Sequence, residues 1–230
     1  GKTTVGVLSD SFDKLSYLQM PGQTYYANNK ERSINLIELS SSDLKKSLSG
    51  LYFLVIDDYD MSALDSKQIA AIEDWVNQGG WLIIGTGSRG SDMISAFSKG
   101  FLDLAYVSTT EAGTPNEASK IINKHQGDYT AYVNNGVNLQ DLAYSEFTYN
   151  GTSGYFSSEH PGWNIQIGQG CALVLGISLS DLQVQSGSEN IVYSLYDEVQ
   201  YNSLKASSYT DLDSWAYMGS RALSAIDRQF

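Results

Sequence analysis

Short apolar runs alternate with polar segments along the first part of the chain. Four of these runs have the length of a strand and comprise residues 4–9, 34–39, 51–56 and 81–84. Apolar runs of this length, bounded by turn residues, are typical of strands that are buried on both faces. Helical spacing in the intervening segments then indicates a parallel sheet. The pattern predicts a three-layer α/β fold with a mostly parallel sheet.

The clearest helical pattern follows the third apolar run, in the segment DSKQIAAIEDWVNQGG. Ile69, Ile72 and Val76 recur at the spacing that places side chains on one face of a helix. Asp65 is a favourable N-cap residue, and Gln68, three residues later, completes the pattern of a capping box. The two glycines at the end of the segment supply a C-terminal stop. The segment therefore predicts one amphipathic helix packed on the sheet.

The second half of the chain is less regular. Residues 101–160 are rich in Tyr, Asn, Gly and Thr without a sustained period, and we expect irregular loops with short β segments at the edge of the sheet. The segment WNIQIGQGCALVLGISL has two apolar runs around the turn GQG, which predicts a late β-hairpin. Helical spacing predicts C-terminal helices that begin near Ser188 and Asp211. The whole chain, 1–230, is predicted to form a single domain.

Composition excludes some classes of partner. Hydrophobic residues make up 42% of the chain, which is enough for a sizeable core. The chain carries 14 basic and 26 acidic residues, so its net charge is -12. A surface this acidic repels phosphate backbones and anionic lipids, and nucleic acid is not an expected partner. The 16 tyrosines, with abundant Ser, Gly and Asn, indicate an extracellular bacterial domain.

Two further features concern the location of the protein and the use of its cysteine. No stretch approaches the roughly 20 apolar residues that span a bilayer, so membrane insertion by this segment is not expected. The chain begins with Gly1 rather than Met, and we expect a signal peptide and a membrane anchor to have been removed. Cys171 lies in the apolar run CALVLGI and is predicted to be a small buried hydrophobic residue.

The order of these elements and one long motif resemble a known superfamily. The stretch at 48–88, LSGLYFLVIDDYDMSALDSKQIAAIEDWVNQGGWLIIGTGS, is similar to the class I glutamine amidotransferase-like superfamily, above all to its non-catalytic members in secreted and membrane-anchored bacterial proteins. The resemblance covers residues 1–90 and, through the late hairpin, 160–200. It implies an amidotransferase-like or flavodoxin-like fold. The residues that match the superfamily's helix motif are Leu64, Gln68, Ala71, Ile72, Trp75, Val76, Gly79 and Gly80.

The resemblance does not carry glutaminase chemistry to this chain. Catalytic members place a cysteine nucleophile at the sharp turn after the fourth strand, and a histidine and a glutamate late in the chain. Here that turn is GTGSRG, and Cys171 lies far from it. Glu159 directly precedes His160, which differs from the superfamily's H-x-E arrangement. We therefore expect a non-catalytic ligand-binding or protein-interaction module of a bacterial cell-surface protein.

The turn after the fourth strand also has the letter pattern G-x-G-x-x-G, at Gly85, Gly87 and Gly90. In dinucleotide-binding folds this pattern belongs to the first strand–helix unit, and an acidic residue ends the next strand. Neither condition is met here. We interpret the glycines as a tight corner that needs a positive φ angle, and no cofactor is predicted.

A serine hydrolase is the alternative function. The sequence TGSRG resembles a nucleophile elbow with Ser88 at its centre. Ser88 needs a histidine as its base, and the chain offers His125 and His160, with Asp128 or Glu159 to orient the imidazole. The competing interpretation of Ser88 is a polar turn residue.

Polar residues cluster where the predicted strands end. Because the carboxyl ends of parallel strands meet at one edge of a sheet, we predict a polar crevice there for a small molecule, a glycan or a protein. Asp10 and Arg89 are predicted to lie within reach of one another. The alternative is that these side chains only satisfy each other and the helix ends. Grouped carboxylates can hold Mg²⁺ or Ca²⁺, but the metal motifs are missing and no metal site is predicted. The candidate ligand-binding residues are Asp10, Asp57, Asp58, Asp60, Ser88 and Arg89.

Overall fold

A computed structural model describes residues 2–19, 25–27, 30–45, 48–113, 137–138, 142–149 and 162–184. The strands of this part of the chain are β1 (Lys2–Ser9), β2 (Tyr25–Ala27), β3 (Lys30–Glu38), β4 (Phe53–Asp57), β5 (Trp81–Gly85), β6 (Leu104–Gly113), β7 (Val137–Asn138), β8 (Leu142–Tyr149), β9 (Gly162–Ile167), β10 (Gly170–Leu175) and β11 (Gln183–Val184). Its α-helices are α1 (Ser66–Asn77) and α2 (Gly90–Ser95). Its 3₁₀ helices are Phe12–Gln19, Ser41–Lys45, Leu48–Gly50, Met61–Ala63, Gly87–Arg89 and Leu179–Asp181.

The main sheet has seven strands in the order β2-β3-β1-β4-β5-β10-β9. The five central strands run parallel, and the edge strands β2 and β9 are antiparallel to their neighbours. The parallel pairing predicted for the first four apolar runs is therefore confirmed. The late hairpin is also confirmed, since β9 pairs with β10 across a two-residue turn at 168–169. The chain is a mixed α/β protein with a mostly parallel sheet.

Apolar side chains cover both faces of this sheet. Every residue of β4 and β5 is buried, as expected for strands in the middle of a parallel sheet. Val55 and Ile83 belong to one apolar cluster and Leu54 and Leu82 to the other, because successive side chains of a strand point to opposite faces. The first cluster includes side chains of the 3₁₀ helix at 12–19, and the second includes those of α1 and α2.

Helix α1 begins and ends as its sequence predicts. The side chain of Asp65 accepts the backbone N–H of Gln68, and the side chain of Gln68 accepts the backbone N–H of Asp65, both at 2.8 Å. Gly79 follows the helix with a φ angle of 121°. A Cβ atom at Gly80 would collide with the indole ring of Trp75. The predicted capping box and glycine stop are therefore confirmed.

The segment 101–160 contains longer strands than its sequence pattern predicts. β6 has 10 residues and β8 has 8, and they pair antiparallel in a separate two-stranded sheet. The expectation of irregular loops with short β segments is therefore wrong for these residues. Tyr106 and Val107 are exposed, and a register shift between Tyr106 and Ser108 breaks the alternation of side chains, so no apolar period marks β6.

Some predictions fall outside the part of the chain that the structure describes. They include the helices expected from Ser188 and from Asp211. The single domain predicted for 1–230 also stays a prediction. None of the described helices combines the length and the apolar character needed to cross a bilayer.

Candidate functional site

The carboxyl ends of β1, β4 and β5 meet at one edge of the sheet. Backbone hydrogen bonds join the turns that follow these strands. The N–H of Asp58 donates to the carbonyl oxygen of Gly85 at 3.0 Å, and the N–H of Asp10 donates to the carbonyl oxygen of Asp58 at 3.2 Å. These hydrogen bonds join the three turns at this edge of the sheet.

Arg89 is held at this edge by two carboxylates. Its Nη1 lies 2.8 Å from Oδ2 of Asp10, and its Nε lies 3.1 Å from Oδ1 of Asp58. The predicted proximity of Asp10 and Arg89 is confirmed. The exposed fractions of the Arg89, Asp10 and Asp58 side chains are 36%, 43% and 28%, so each pair stabilises the fold by no more than about 1 kcal/mol. Ligand binding by this network stays a prediction.

Asp58 has an unusual backbone conformation. Its φ angle is 44°, in the left-handed region that Asp and Asn tolerate better than most residues. Its Oδ2 accepts a hydrogen bond from Oγ of Ser11 at 3.1 Å, while its Oδ1 faces Arg89. Such strained residues persist where the surroundings hold them, often at functional sites. Asp58 thus joins the turns after all three strands.

Asp57 lies apart from the exposed group. Its side chain is fully buried at the end of β4. It accepts hydrogen bonds from the backbone N–H groups of Leu179 and Ser180, at 2.6 and 3.0 Å, and from Oγ of Ser178 at 2.9 Å. Burial raises the pKa of Asp57 to about 7, although these hydrogen bonds oppose the shift. This carboxyl group connects β4 to the segment after β10 and does not face solvent.

Asp60 adjoins the Arg89 network. Its Oδ1 caps the 3₁₀ helix at 61–63 by accepting the N–H and the Oγ of Ser62, at 3.1 and 2.6 Å. These hydrogen bonds hold the pKa of Asp60 below its ordinary value, so the side chain is ionised at neutral pH. The backbone N–H of Asp60 donates to Oδ2 of Asp10 at 3.0 Å. The carboxylate of Asp10 therefore connects Asp60 to Arg89.

The glycine turn after β5 is a tight corner. Gly87 has a φ angle of 52°, so the predicted positive φ angle is confirmed at this position. Gly85 and Gly90 are needed for space, because a Cβ atom would collide with Asp57 at the first position and with Ser145 at the second. Ser145 of β8 also donates its hydroxyl to the carbonyl oxygen of Gly87 at 2.5 Å. The β6–β8 sheet is thereby fixed to this corner.

Ser88 lies in the 3₁₀ helix of this corner with its side chain exposed. The preceding Thr86 is fully buried, and its hydroxyl donates to the carbonyl oxygen of Leu175 at 2.6 Å. His125 and His160, with the acids predicted to orient them, lie outside the described residues. The hydrolase alternative therefore stays a prediction.

The acidic residues of this edge do not converge on a metal site. Within the described ranges, no group of three or more His, Cys, Asp or Glu side chains is arranged to hold a metal ion. Asp10 and Asp58 face the guanidinium of Arg89, and Asp57 faces buried donors. Cys171 is buried and pairs with Trp81 at the opposite end of β5 from the glycine turn.

A cleft of about 850 Å³ opens beside Arg89. It lies between α2 on one side and, on the other, the segment from the 3₁₀ helix at 61–63 to the start of α1. Its apolar lining includes Met61, Leu64 and Phe97, which are 5%, 8% and 7% exposed. Sequence reasoning missed this part of the site because it considered only the residues that directly follow the strands. The apolar residues next to the polar corner were the available signal.

No family model and no curated protein sequence matches the chain. Among solved structures it is similar to a cytoplasmic protein from Salmonella typhimurium, with a TM-score of 0.50 and 10% identity over 87% of this chain and 98% of that one. It is also similar to an exo-β-1,4-mannosidase from Opitutaceae bacterium strain TAV5, with a TM-score of 0.47 and 10% identity over 92% of this chain. A β-galactosidase from Bacillus circulans sp. alkalophilus gives a TM-score of 0.46 and 8% identity over 86% of this chain.

The matched part is only a fraction of the two enzymes. The chain spans 37% of the length of the mannosidase and 30% of the length of the galactosidase. At identities this low the likeness to the Salmonella protein concerns the fold alone.

Proposed function

We propose that the chain is a non-catalytic ligand-binding module of a bacterial cell-surface protein, with an amidotransferase-like fold, and that its ligand binds in the cleft beside Arg89. The observation that carries the proposal is the position of this cleft. It opens at the carboxyl edge of a mostly parallel sheet, which is where ligands bind in open α/β folds. Its volume of about 850 Å³ lies in the range of small-molecule sites.

The lining of the cleft supports a binding role. Buried apolar side chains form part of its surface, while Asp60, Asp65, Asp92 and Arg89 contribute charged groups. Ligand sites usually combine apolar side chains with polar groups that fix the orientation of the ligand, and the lining of this cleft has both kinds of side chain. Arg89 is held on two carboxylates, so it is positioned before a ligand arrives and loses little freedom on binding.

The absence of catalysis is supported by the turn after β5. In the superfamily that the sequence resembles, this turn carries the cysteine nucleophile, but here it carries Thr86, Gly87 and Ser88. The cell-surface location is supported by composition, through the many tyrosines and the low content of lysine and arginine.

The binding role is tested by a thermal-shift screen with small molecules and soluble glycans. We expect at least one compound to stabilise the wild-type protein, and we expect Arg89→Ala and Asp10→Ala to remove that stabilisation. Without ligand both variants should stay folded, because the Arg89 and Asp10 side chains are partly exposed. Lys99→Ala is the matched control, since Lys99 is an exposed cation that does not line the cleft. Stabilisation that survives in both site variants would contradict the proposed site.

The alternative function is a serine hydrolase that uses Ser88, supported by the exposed position of this residue in a tight corner after β5. If the alternative holds, a fluorophosphonate probe labels the wild-type protein and fails to label Ser88→Ala. Ser91→Ala is the matched control, because Ser91 is also exposed and lies three residues further along the same segment. The absence of labelling, or equal labelling of Ser88→Ala, eliminates the hydrolase.

A further inference from the structure

Three hydroxyl groups connect β6 with the glycine corner after β5. Oη of Tyr106 lies 2.7 Å from Oγ1 of Thr109, and Oγ1 of Thr109 lies 2.9 Å from Oγ of Ser145. Oγ of Ser145 lies 2.5 Å from the carbonyl oxygen of Gly87. The side chains of Tyr106, Thr109 and Ser145 form a hydroxyl relay, which begins at an exposed tyrosine and ends at the buried backbone of the corner.

The direction of the hydroxyl relay follows from the number of protons. The carbonyl oxygen of Gly87 only accepts, so Ser145 donates its single hydroxyl proton to it. Ser145 then accepts the hydroxyl proton of Thr109, and Thr109 accepts that of Tyr106. All three hydroxyl groups therefore donate towards the corner. Hydrogen bonds that are aligned in this way polarise and strengthen one another.

A β-bulge makes the first step of the hydroxyl relay possible. In a regular strand, side chains three residues apart point to opposite faces of the sheet. The partners of Tyr106 and Ser108 on β8 are consecutive residues, so Val107 is an extra residue in β6. An extra residue changes the alternation of side chains. The hydroxyl groups of Tyr106 and Thr109 reach one another because of this bulge.

Ser145, the last member of the hydroxyl relay, is held by its own backbone. It is 1% exposed, and its N–H donates to the carbonyl oxygen of Gly176 at 2.8 Å. Thr109 is its direct partner in the register of β6 and β8. A Cβ atom at Gly90 would collide with the Ser145 side chain, so β8 lies directly against the start of α2. The hydroxyl group of Ser145 therefore has a defined position beside the corner.

The backbone of the corner needs such an external partner. Glycine restricts its own backbone less than any other residue, and Gly87 has a φ angle of 52°. Because the peptide unit is planar, a hydrogen bond that fixes the carbonyl group of Gly87 also fixes the N–H of Ser88. The next residue is Arg89, whose side chain lines the cleft and contacts two carboxylates. The orientation of this peptide therefore affects where the Arg89 side chain begins.

We propose that the hydroxyl relay positions the peptide between Gly87 and Ser88 and, through it, the Arg89 side chain at the cleft. Its three members are then positioning residues of the candidate ligand site, although none of them lines the cleft. The proposal rests on the proposed function and adds residues to the same site. It is carried by the single direction of the hydrogen bonds and by the bulge, since bulges often re-aim side chains next to functional sites.

The test measures the corner directly by nuclear magnetic resonance of the full chain. The probes are the backbone N–H signals of Ser88 and Arg89 and the Nε–H signal of the Arg89 side chain. We expect Ser145→Ala to shift these signals most, Thr109→Val less and Tyr106→Phe least. The reason for this order is that each variant removes a hydroxyl group one step further from the corner. Unchanged signals in both Ser145→Ala and Thr109→Val would overturn the inference.

Two further variants separate the loss of a hydroxyl group from a general disturbance of β6. Thr109→Ser keeps the hydroxyl group, and we expect it to retain the wild-type signals of the corner. Thr110→Val makes the same change as Thr109→Val at an exposed neighbour in β6 and should leave these signals unchanged. Equal shifts in Thr109→Ser and Thr109→Val, or in Thr110→Val and Thr109→Val, would overturn the inference. If Ser145→Ala does not fold, the comparison of Thr109→Val with Thr109→Ser decides.

The failure of this inference is distinguishable from the failure of the proposed function. The thermal-shift screen with small molecules and soluble glycans is repeated on Thr109→Val and Thr109→Ser. We expect Thr109→Val to reduce, and Thr109→Ser to retain, any stabilisation that depends on Arg89. Stabilisation that depends on Arg89 but is equal in wild type and Thr109→Val overturns the inference and leaves the proposed function in place. Signal shifts in the expected order without stabilisation by any compound support the positioning of Arg89 and contradict the proposed function.

Discussion

At the scale of single residues, two neighbouring aspartates show how position decides chemistry. Asp57 is fully buried and accepts three hydrogen bonds, whereas Asp58 is partly exposed and faces Arg89. Burial disfavours the charged form of Asp57, which is why its pKa is raised to about 7. Successive residues at the end of β4 thus have separate roles, one structural and one at the candidate site.

The raised pKa of Asp57 predicts a pH dependence of stability. Because the folded pKa of about 7 lies above the unfolded value of 3.8, the folded state binds this proton more tightly. The contribution of Asp57 to the free energy of unfolding is therefore complete below about pH 4 and is lost as the pH rises towards 7, by up to roughly 4 kcal/mol. Urea denaturation of the wild type and of Asp57→Asn at a series of pH values measures this loss of unfolding free energy.

We expect the unfolding free energy of the wild type minus that of Asp57→Asn to decrease as the pH rises from about 4 to about 8, because only the wild type loses stability through this carboxyl group. Asp74→Asn is the matched control, since Asp74 is an exposed acid of α1. A difference for Asp57→Asn that does not change with pH would show that Asp57 is ionised throughout this window.

At the scale of elements, helix α1 is specified by local sequence signals. The capping box satisfies the N–H of Gln68 and of Asp65, and the buried face of the helix includes Ile72 and Val76. The side-chain amide of Gln68 also donates to the carbonyl oxygen of Ser41 at 2.7 Å, which connects the start of the helix to a neighbouring 3₁₀ helix. The same residues that begin the helix therefore fix its position beside the cleft.

Removal of the N-cap is expected to destabilise the protein. Asp65→Ala leaves the N–H of Gln68 without its acceptor and should lower the free energy of unfolding by about 1 kcal/mol. Asp65→Asn keeps a capping oxygen and should retain most of the stability. Chemical denaturation of both variants checks this, and equal losses for the alanine and asparagine variants would contradict a capping role.

At the scale of the molecule, the candidate site is assembled from segments that are distant in the sequence. Asp10, Asp58 and Arg89 follow β1, β4 and β5, and the parallel order of these strands brings them to one edge. The β6–β8 sheet adds a contact from Ser145 to the glycine corner.

The sequence by itself determined the elements whose signals are local. Apolar runs bounded by turn residues predicted β1, β4 and β5, and the capping box and glycine stop predicted α1, because backbone propensity and side-chain period act over a few residues. The positions of Asp10 and Arg89 after β1 and β5 also predicted that they meet, because parallel strands end at the same edge of the sheet.

Only the tertiary structure decided the features that depend on packing between distant segments. Asp57 and Asp58 are the same residue type and are adjacent in the sequence. In the fold, Asp57 is buried against the segment after β10, whereas Asp58 lies beside Arg89. β6 and β8 have no apolar period, and each is a strand because it pairs with the other. The cleft exists because α2 packs opposite the start of α1, and the distance between two helices is set by the side chains of the folded core.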